Sequence, residues 1–356
     1  MKKHNYSAGP CILPPEVFKK SAEAILDFNN SGLSILEISH RSKDFVAVME
    51  EARALVLELL GLEGKGYQAL FLSGGASLEF LMVPYNVMKV DGKAAYLDSG
   101  TWASSAIKEA KHFGETVVVA SSKSENYNHI PKNYTIPADA SYFHCTSNNT
   151  IFGTQMKSFP KTAAPLICDM SSDIFSRTID YSQFDLIYAG AQKNMGPAGT
   201  TLVVVKEEIL GKTGRTIPSI LDYQQHISKE SMYNTPPVFP VYASLLTLQW
   251  LKKLGGIAAI EKINDAKANL LYTEIDRNPL FIGTAAKEDR STMNATFLLV
   301  NEGHQETFDA MWKAAGISGL AGHRSVGGYR ASMYNALPLE SVQVLVDVMR
   351  NLENNI

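Results

Sequence analysis

Between residues 67 and 206 short apolar runs alternate with polar, helix-like stretches, and this alternation limits the possible folds more than any other feature. The runs occupy residues 69–72, 94–97, 116–120, 140–144, 166–169, 185–189 and 201–205. A Gly-Gly turn and a helix from about Ser77 follow the first, and a helix over 102–113 follows the second. Strands of four or five residues with helices between them predict βα units and a mostly parallel, doubly wound sheet. In such sheets ligands bind beyond the carboxyl ends of the strands. The residues just past each run are therefore where chemistry is sought.

The flanks read differently. The first 15 residues are rich in Gly and Pro and read as extended. Residues 16–30 predict a helix with Val17, Phe18, Ala22, Ile25 and Leu26 on one face, ended by Asn29, Asn30 and Gly32. Residues 43–60 repeat the pattern with Phe45, Val48, Met49, Ala52, Leu55, Val56 and Leu59. From about residue 240 helices dominate to 276, broken at Gly255-Gly256. A strand over 293–300, a helix over 304–315 and an amphipathic helix over 338–353 follow. The expected fold is α/β: a large domain over 16–256 carries the doubly wound sheet, and 1–15 with 257–356 form a smaller α+β domain.

Charge and composition exclude several functions. Basic residues number 33 and acidic residues 36, a net charge of −3 that exerts no pull on nucleic acid. No apolar run approaches the ~18 residues of a membrane span. The opening MKKHNYSAGPCILP lacks the apolar core of a secretory signal, so the expectation is a cytoplasmic protein. Cys11, Cys145 and Cys168 are too scattered for a disulfide framework, and eight histidines show no metal-ligand spacing, so no metal is expected.

Four features at the predicted strand ends combine. Ser73-Gly74-Gly75-Ala76-Ser77 enters a helix, where free backbone N–H groups can hold an anion. It is not a P-loop, because the Gly-Lys-[Ser/Thr] ending is missing. Asp98-Ser99-Gly100-Thr101-Trp102 places an indole at a helix start, where it can stack on a planar ligand or simply fill a core. Asp169 ends the run Pro165-Leu166-Ile167-Cys168 and needs a partner if buried. Lys193 follows another apolar run and precedes Gly196-Pro197-Ala198-Gly199; desolvation there would lower its pKa and make the amine nucleophilic. An anion cradle, an aromatic plate, an acid and a buried lysine are the requirements of pyridoxal 5′-phosphate.

Five segments then carry a resemblance: AGAQKNMGPAG (189–199), CDMSSDIFSR (168–177), YNTPPVF (233–239), HRS (40–42) and GHRSVGGYRAS (322–332). With the opening NYSAGP and the late YNALP, they closely resemble the phosphoserine aminotransferases, class V members of the fold-type I group, along essentially the whole chain. The resemblance implies that Lys193 forms the Schiff base, that Gln192, Ala76 and Ser77 contact the cofactor phosphate, and that Asp169 pairs with the pyridinium nitrogen. Trp102 then stacks on the ring and Thr150 bonds its phenolic oxygen. Asn234 and Thr235 reach the phosphate from the other subunit of a homodimer. His40, Arg41, His323, Arg324 and Arg330 bind substrate carboxylate and phosphate groups, with Arg330 taking the α-carboxylate, a task suited to the guanidinium fork.

The implied reaction is reversible amino transfer from L-glutamate to 3-phosphohydroxypyruvate in serine biosynthesis, with the phosphohydroxythreonine couple of pyridoxine biosynthesis as a second role. Another class V enzyme, such as alanine–glyoxylate aminotransferase, is the alternative; the basic His40, Arg41, His323, Arg324 set favours a dianionic substrate over alanine. One departure stands out. Many family members carry Gly-Gly-Gly-Arg-Gly-Gln where this chain has Gly74-Gly75-Ala76-Ser77-Leu78-Glu79, so an arginine is lost and an acid is gained.

Overall fold

A computed structural model describes residues 3–356. Seven strands form the central sheet in the order Tyr67–Leu72, Thr201–Lys206, Leu186–Gly190, Leu166–Asp169, Phe143–Thr146, Lys93–Asp98, Glu115–Ser121. Only Thr201–Lys206 runs antiparallel to its two neighbours; the other strands share one direction. All the predicted strands form, and one is displaced: the run read as 140–144 pairs as Phe143–Thr146. Ala140 and Ser141 are buried too, but they lead into the strand, so hydrophobicity alone marks its start too early.

Both faces of the sheet are covered. On one side the helix Lys43–Leu60 buries Phe45, Val48, Met49, Ala52, Leu55 and Val56 as its periodicity predicts, with Leu60 rather than Leu59 completing the face. Ser42 caps its N-terminus by accepting from the Phe45 N–H, and Gly61 ends it with φ 65°. On the other side Gly75–Val87 and Thr101–Ala110 pack with Tyr96, Tyr142 and Tyr188.

The first helix, Pro15–Leu26, corrects the sequence reading. Its buried face is Val17, Ser21 and Ala24, whereas Phe18, Ala22, Ile25 and Leu26 point outward, Leu26 with 83 % exposure. The helix lies on Val238–Leu254, where Val17 meets Leu246 and Phe28 meets Tyr242 edge-on at 5.3 Å. Small side chains face that neighbour, so the packed face is the one with less apolar bulk.

Beyond residue 256 a second sheet forms from Phe281–Gly283, Asn294–Leu299 and Tyr329–Ser332, all antiparallel. Ile257–Arg277 and Leu339–Asn354 bury a separate core against it. The N-terminal segment belongs to this part: His4–Asn5 pairs in parallel with Ile317–Ser318, and the Tyr6 hydroxyl donates to the Ser341 carbonyl at 2.6 Å. No described helix is long and apolar enough to cross a membrane.

Lys267 is fully buried in this second core. Its Nζ donates to the carbonyls of Met333 (2.9 Å) and Tyr334 (2.8 Å), and burial pulls its pKa down to about 7. Two acceptors suit a neutral amine. From pH ~10.5 down to ~7 the unfolded chain binds this proton and the folded one does not, so stability falls as pH falls through that window. The Tm difference between Lys267→Met and the wild type should therefore shift in the variant's favour between pH 10 and 7 and level off below, as scanning calorimetry would show.

Candidate active site

The carboxyl ends of the sheet strands meet at one edge. There Gly190 leads into the four-residue helix Ala191–Asn194, which carries Lys193. The Lys193 Nζ donates to the Thr150 hydroxyl at 3.1 Å and lies 5.3 Å from the centre of the Trp102 indole. Burial pushes the lysine pKa down; Asp169 opposes that shift and Arg330 adds to it. The extended N-terminal segment supports the lysine from behind: Cys11 N–H donates to the Gln192 carbonyl at 3.1 Å, and Gly9 lies against the Lys193 side chain.

Asp169 ends the strand Leu166–Asp169 and is only 4 % exposed. Burial raises its pKa, while Lys193 and Ser171 pull it back. Its Oδ1 accepts from the Ser171 N–H at 2.9 Å and the Ser171 hydroxyl at 2.6 Å. The same hydroxyl accepts from the Gly190 N–H at 3.1 Å, tying the acid's strand to the lysine's. Asp173 lies just behind. It is buried, pairs with Arg177 at 3.0 Å, and weighs on both Asp169 and Lys193. Sequence reasoning missed Ser171 and Asp173 as site residues. Both stand in the CDMSSDIFSR segment, but nothing in their spacing separates a brace from a loop residue.

Trp102 sits at the start of Thr101–Ala110. The Asp98 carboxylate steadies that turn by accepting from Ser104 (2.7 Å), Ser121 (2.7 Å) and Tyr127. The indole packs against the cluster of Tyr127, Ile151 and Phe152, and its Nε1 is buried without a partner. On the neighbouring helix, Gly74 has φ 111° and a Cβ there would lie 2.4 Å from Leu78, so only glycine makes the turn into the cradle. Ala76 is half-buried and Ser77 exposed at its first turn.

Arg330, on Tyr329–Ser332, is half-buried, and its Nε is buried without a partner. His323 stands close enough that, after burial, Arg330 and Arg324 both lower its pKa. Its Nδ1 accepts from the Ser325 N–H at 3.2 Å. Two glycines of this loop allow close approaches: a Cβ on Gly322 would lie 2.0 Å from the Gly327 carbonyl oxygen, and one on Gly328 would lie 2.6 Å from the Phe297 carbonyl oxygen of the neighbouring strand. The remaining predicted residues are not bonded to the lysine. Arg41, Asn234 and Thr235 are exposed and His40 is half-buried. No hydrogen bond or ion pair among the described residues joins any of the four, or Gln192, to Lys193.

The comparisons accord with this geometry. Residues 4–345 match the model of the family described as aminotransferase class-V. The chain therefore belongs to the class-V aminotransferases and is an aminotransferase. It is 84 % identical to the phosphoserine aminotransferase of Flavobacterium psychrophilum, over the full length of both chains. Among solved structures, the phosphoserine aminotransferase of Bacillus circulans subsp. alkalophilus superposes with a TM-score of 0.96 at 43 % identity, over 99 % of each chain. The pyridoxal-phosphate-bound phosphoserine aminotransferase of Trichomonas vaginalis does so with 0.93 at 35 %, over 98 % of this chain and all of that one. Within the class, the family is that of the phosphoserine aminotransferases.

Ser171→Ala should test the brace on Asp169. Losing a hydrogen bond to a charged group costs about 1.5–3 kcal/mol, roughly ten- to a hundredfold in kcat/KM. The donor favours the ionised acid, so its removal should also move the acid limb of the kcat/KM profile to higher pH.

Proposed function

We propose that this chain transfers the amino group of L-glutamate reversibly to 3-phosphohydroxypyruvate, giving O-phospho-L-serine and 2-oxoglutarate, with pyridoxal 5′-phosphate as cofactor. The observation that carries the reading is the Lys193 amine, desolvated and held by Thr150 beneath Trp102, with Asp169 near enough to share its field. The high identity to phosphoserine aminotransferases supports the acceptor.

The residues fit the cofactor. Asp169 uses Oδ1 for its brace, and Oδ2 makes no hydrogen bond among the described residues, so it is available to a ring N–H. The Trp102 face is available to the ring and the Thr150 hydroxyl to its phenolic oxygen. Ala76, Ser77 and Gln192 would hold the phosphate. Pyridoxal 5′-phosphate supplies an electron-accepting ring that stabilises charge developing at the substrate Cα. Lys193 takes the proton from that Cα and returns one in the reverse sense; burial keeps a larger share of its amine neutral than in water. Asp169 stays ionised beside a cationic partner and holds it protonated. Arg330 takes the α-carboxylate. His323 and Arg324 take the distal carboxylate of one substrate and the phosphate of the other, in line with a dianionic substrate.

We further read the chain as a cytoplasmic homodimer. Asn234 and Thr235 are exposed and would reach the phosphate of the neighbouring subunit, and His40 and Arg41 would reach substrate only across such an interface. The exposed Leu26, Leu33 and Leu36 precede them and give that surface an apolar stretch to bury. Residues 16–256 form the cofactor domain and 1–15 with 257–356 the small one, a division supported by the two separate cores. The phosphohydroxythreonine couple is a second acceptor of the same charge.

A visible absorption spectrum tests the reading. The band of the cofactor-loaded protein should vanish with L-glutamate and return with 3-phosphohydroxypyruvate; a band that never returns would reject that acceptor. Lys193→Ala should bind the cofactor without the lysine linkage and lose at least ~10²–10⁴-fold in turnover, the range expected of a lost acid–base group.

A further inference from the structure

Behind the sheet edge that carries Lys193 lies a layer of buried polar side chains with no role in the reaction described above. The hydroxyls of Tyr96 and Tyr142 share a hydrogen bond of 2.5 Å, and His144 Nε2 shares one of 2.9 Å with Tyr188. Burial pulls the His144 pKa down to about 3, so it is neutral. Glu79 stands in the same layer. It is fully buried, the Tyr223 hydroxyl donates to its Oε2 at 2.5 Å, and its Oε1 is buried without a partner. An ionised carboxylate offers about four acceptor sites, and one donor is too few. A protonated acid needs far less solvation.

The titratable groups facing Glu79 are Tyr223 from Tyr223–Ser228 and Tyr188 from Leu186–Gly190, with Tyr142 and His144 behind them. All are neutral, and no cation is among the groups that shift Glu79. Burial raises its pKa to about 8, against the pull of the Tyr223 hydroxyl.

The position of Glu79 on its helix connects this acid to the site. Glu79 lies one turn, about 6 Å, along the axis from Gly75, where Gly75–Val87 begins. Seven residues on, and so on the same face, Asn86 accepts from the Tyr223 N–H at 2.9 Å and donates to the Leu221 carbonyl at 2.7 Å. Glu79 and Asn86 therefore pin the cradle helix to one segment at two points.

We propose that Glu79 is a positioning residue for the cofactor phosphate. As a neutral acid bonded to Tyr223, it holds the cradle helix with its first-turn N–H groups toward the phosphate; on losing its proton it places a negative charge one turn behind them and loosens the phosphate. The proposal rests on the reading that this first turn holds the phosphate.

The test follows cofactor release from the holoenzyme by absorbance between pH 6.5 and 9.5. Wild-type release should accelerate about tenfold across that range, and Glu79→Gln, which keeps the shape and cannot ionise, should change by less than about threefold. Tyr223→Phe removes the donor that favours the charged acid, so its transition should move to higher pH. Release from Glu79→Gln that climbs in parallel with wild type, or an unmoved transition in Tyr223→Phe, overturns the proposal.

Melting of the cofactor-free protein gives a second readout. The folded state keeps the Glu79 proton between pH ~4.5 and ~8 while the unfolded state loses it, so wild-type stability falls as pH rises through that window. The Tm advantage of Glu79→Gln should therefore widen from pH 5 to pH 8; a constant difference overturns the proposal. Ser77→Asp separates the underlying reading. If it releases cofactor no faster than wild type, the phosphate reading falls and this proposal with it; if it releases faster while Glu79→Gln tracks wild type, only this proposal falls.

Discussion

Lys193 and Asp169 share one dehydrated recess, and each is held away from its aqueous behaviour by burial and drawn back toward it by the other. Removing water disfavours both charges, and the proximity of opposite signs opposes that effect on each. Neither group could be kept in this condition alone. The pair needs walls that exclude water, donors that hold the carboxylate, and a backbone stiff enough to prevent direct collapse into an ion pair.

The sheet supplies that stiffness. The acid ends one strand and the lysine follows its parallel neighbour, so their spacing is set by ladder hydrogen bonds rather than by side-chain flexibility. Ser171 adds a cross-tie from the Asp169 carboxylate to the Gly190 backbone. Trp102 and Thr150 come from two further strand ends, and the second core delivers Arg330 from across the recess. The N-terminal segment reaches under the lysine while its own strand is paired in that second core, joining the two cores at the reaction centre.

Much of this was legible in the residues. Short apolar runs separated by helical stretches lead to a parallel sheet by local geometry alone, and chemistry-bearing residues just past them stand out. Lys193, Asp169, Trp102 and Thr150 were found that way or through the motifs around them. The packed face of Pro15–Leu26 was not legible: periodicity weighs apolar bulk, whereas the helix turned its small residues, Ser21 and Ala24, to a close neighbour. Ser171 and Asp173 were hidden for another reason. A serine or aspartate beside an active acid looks the same whether it braces that acid or faces solvent. The loop glycines at 322–328 were visible, but their reason lay in close backbone approaches, of Gly322 within the loop and of Gly328 to the neighbouring strand.

The sequence by itself determined the order of strands and helices and the class of chemistry, because these follow from short-range patterns and residue type. The tertiary structure alone decided which groups share a low-dielectric recess. It set the depression of the Lys193 pKa, the burial of Glu79 with a single donor, and the exposure of Arg41, Asn234 and Thr235. Those outcomes depend on desolvation and distance, quantities that exist only when residues far apart in sequence are brought together.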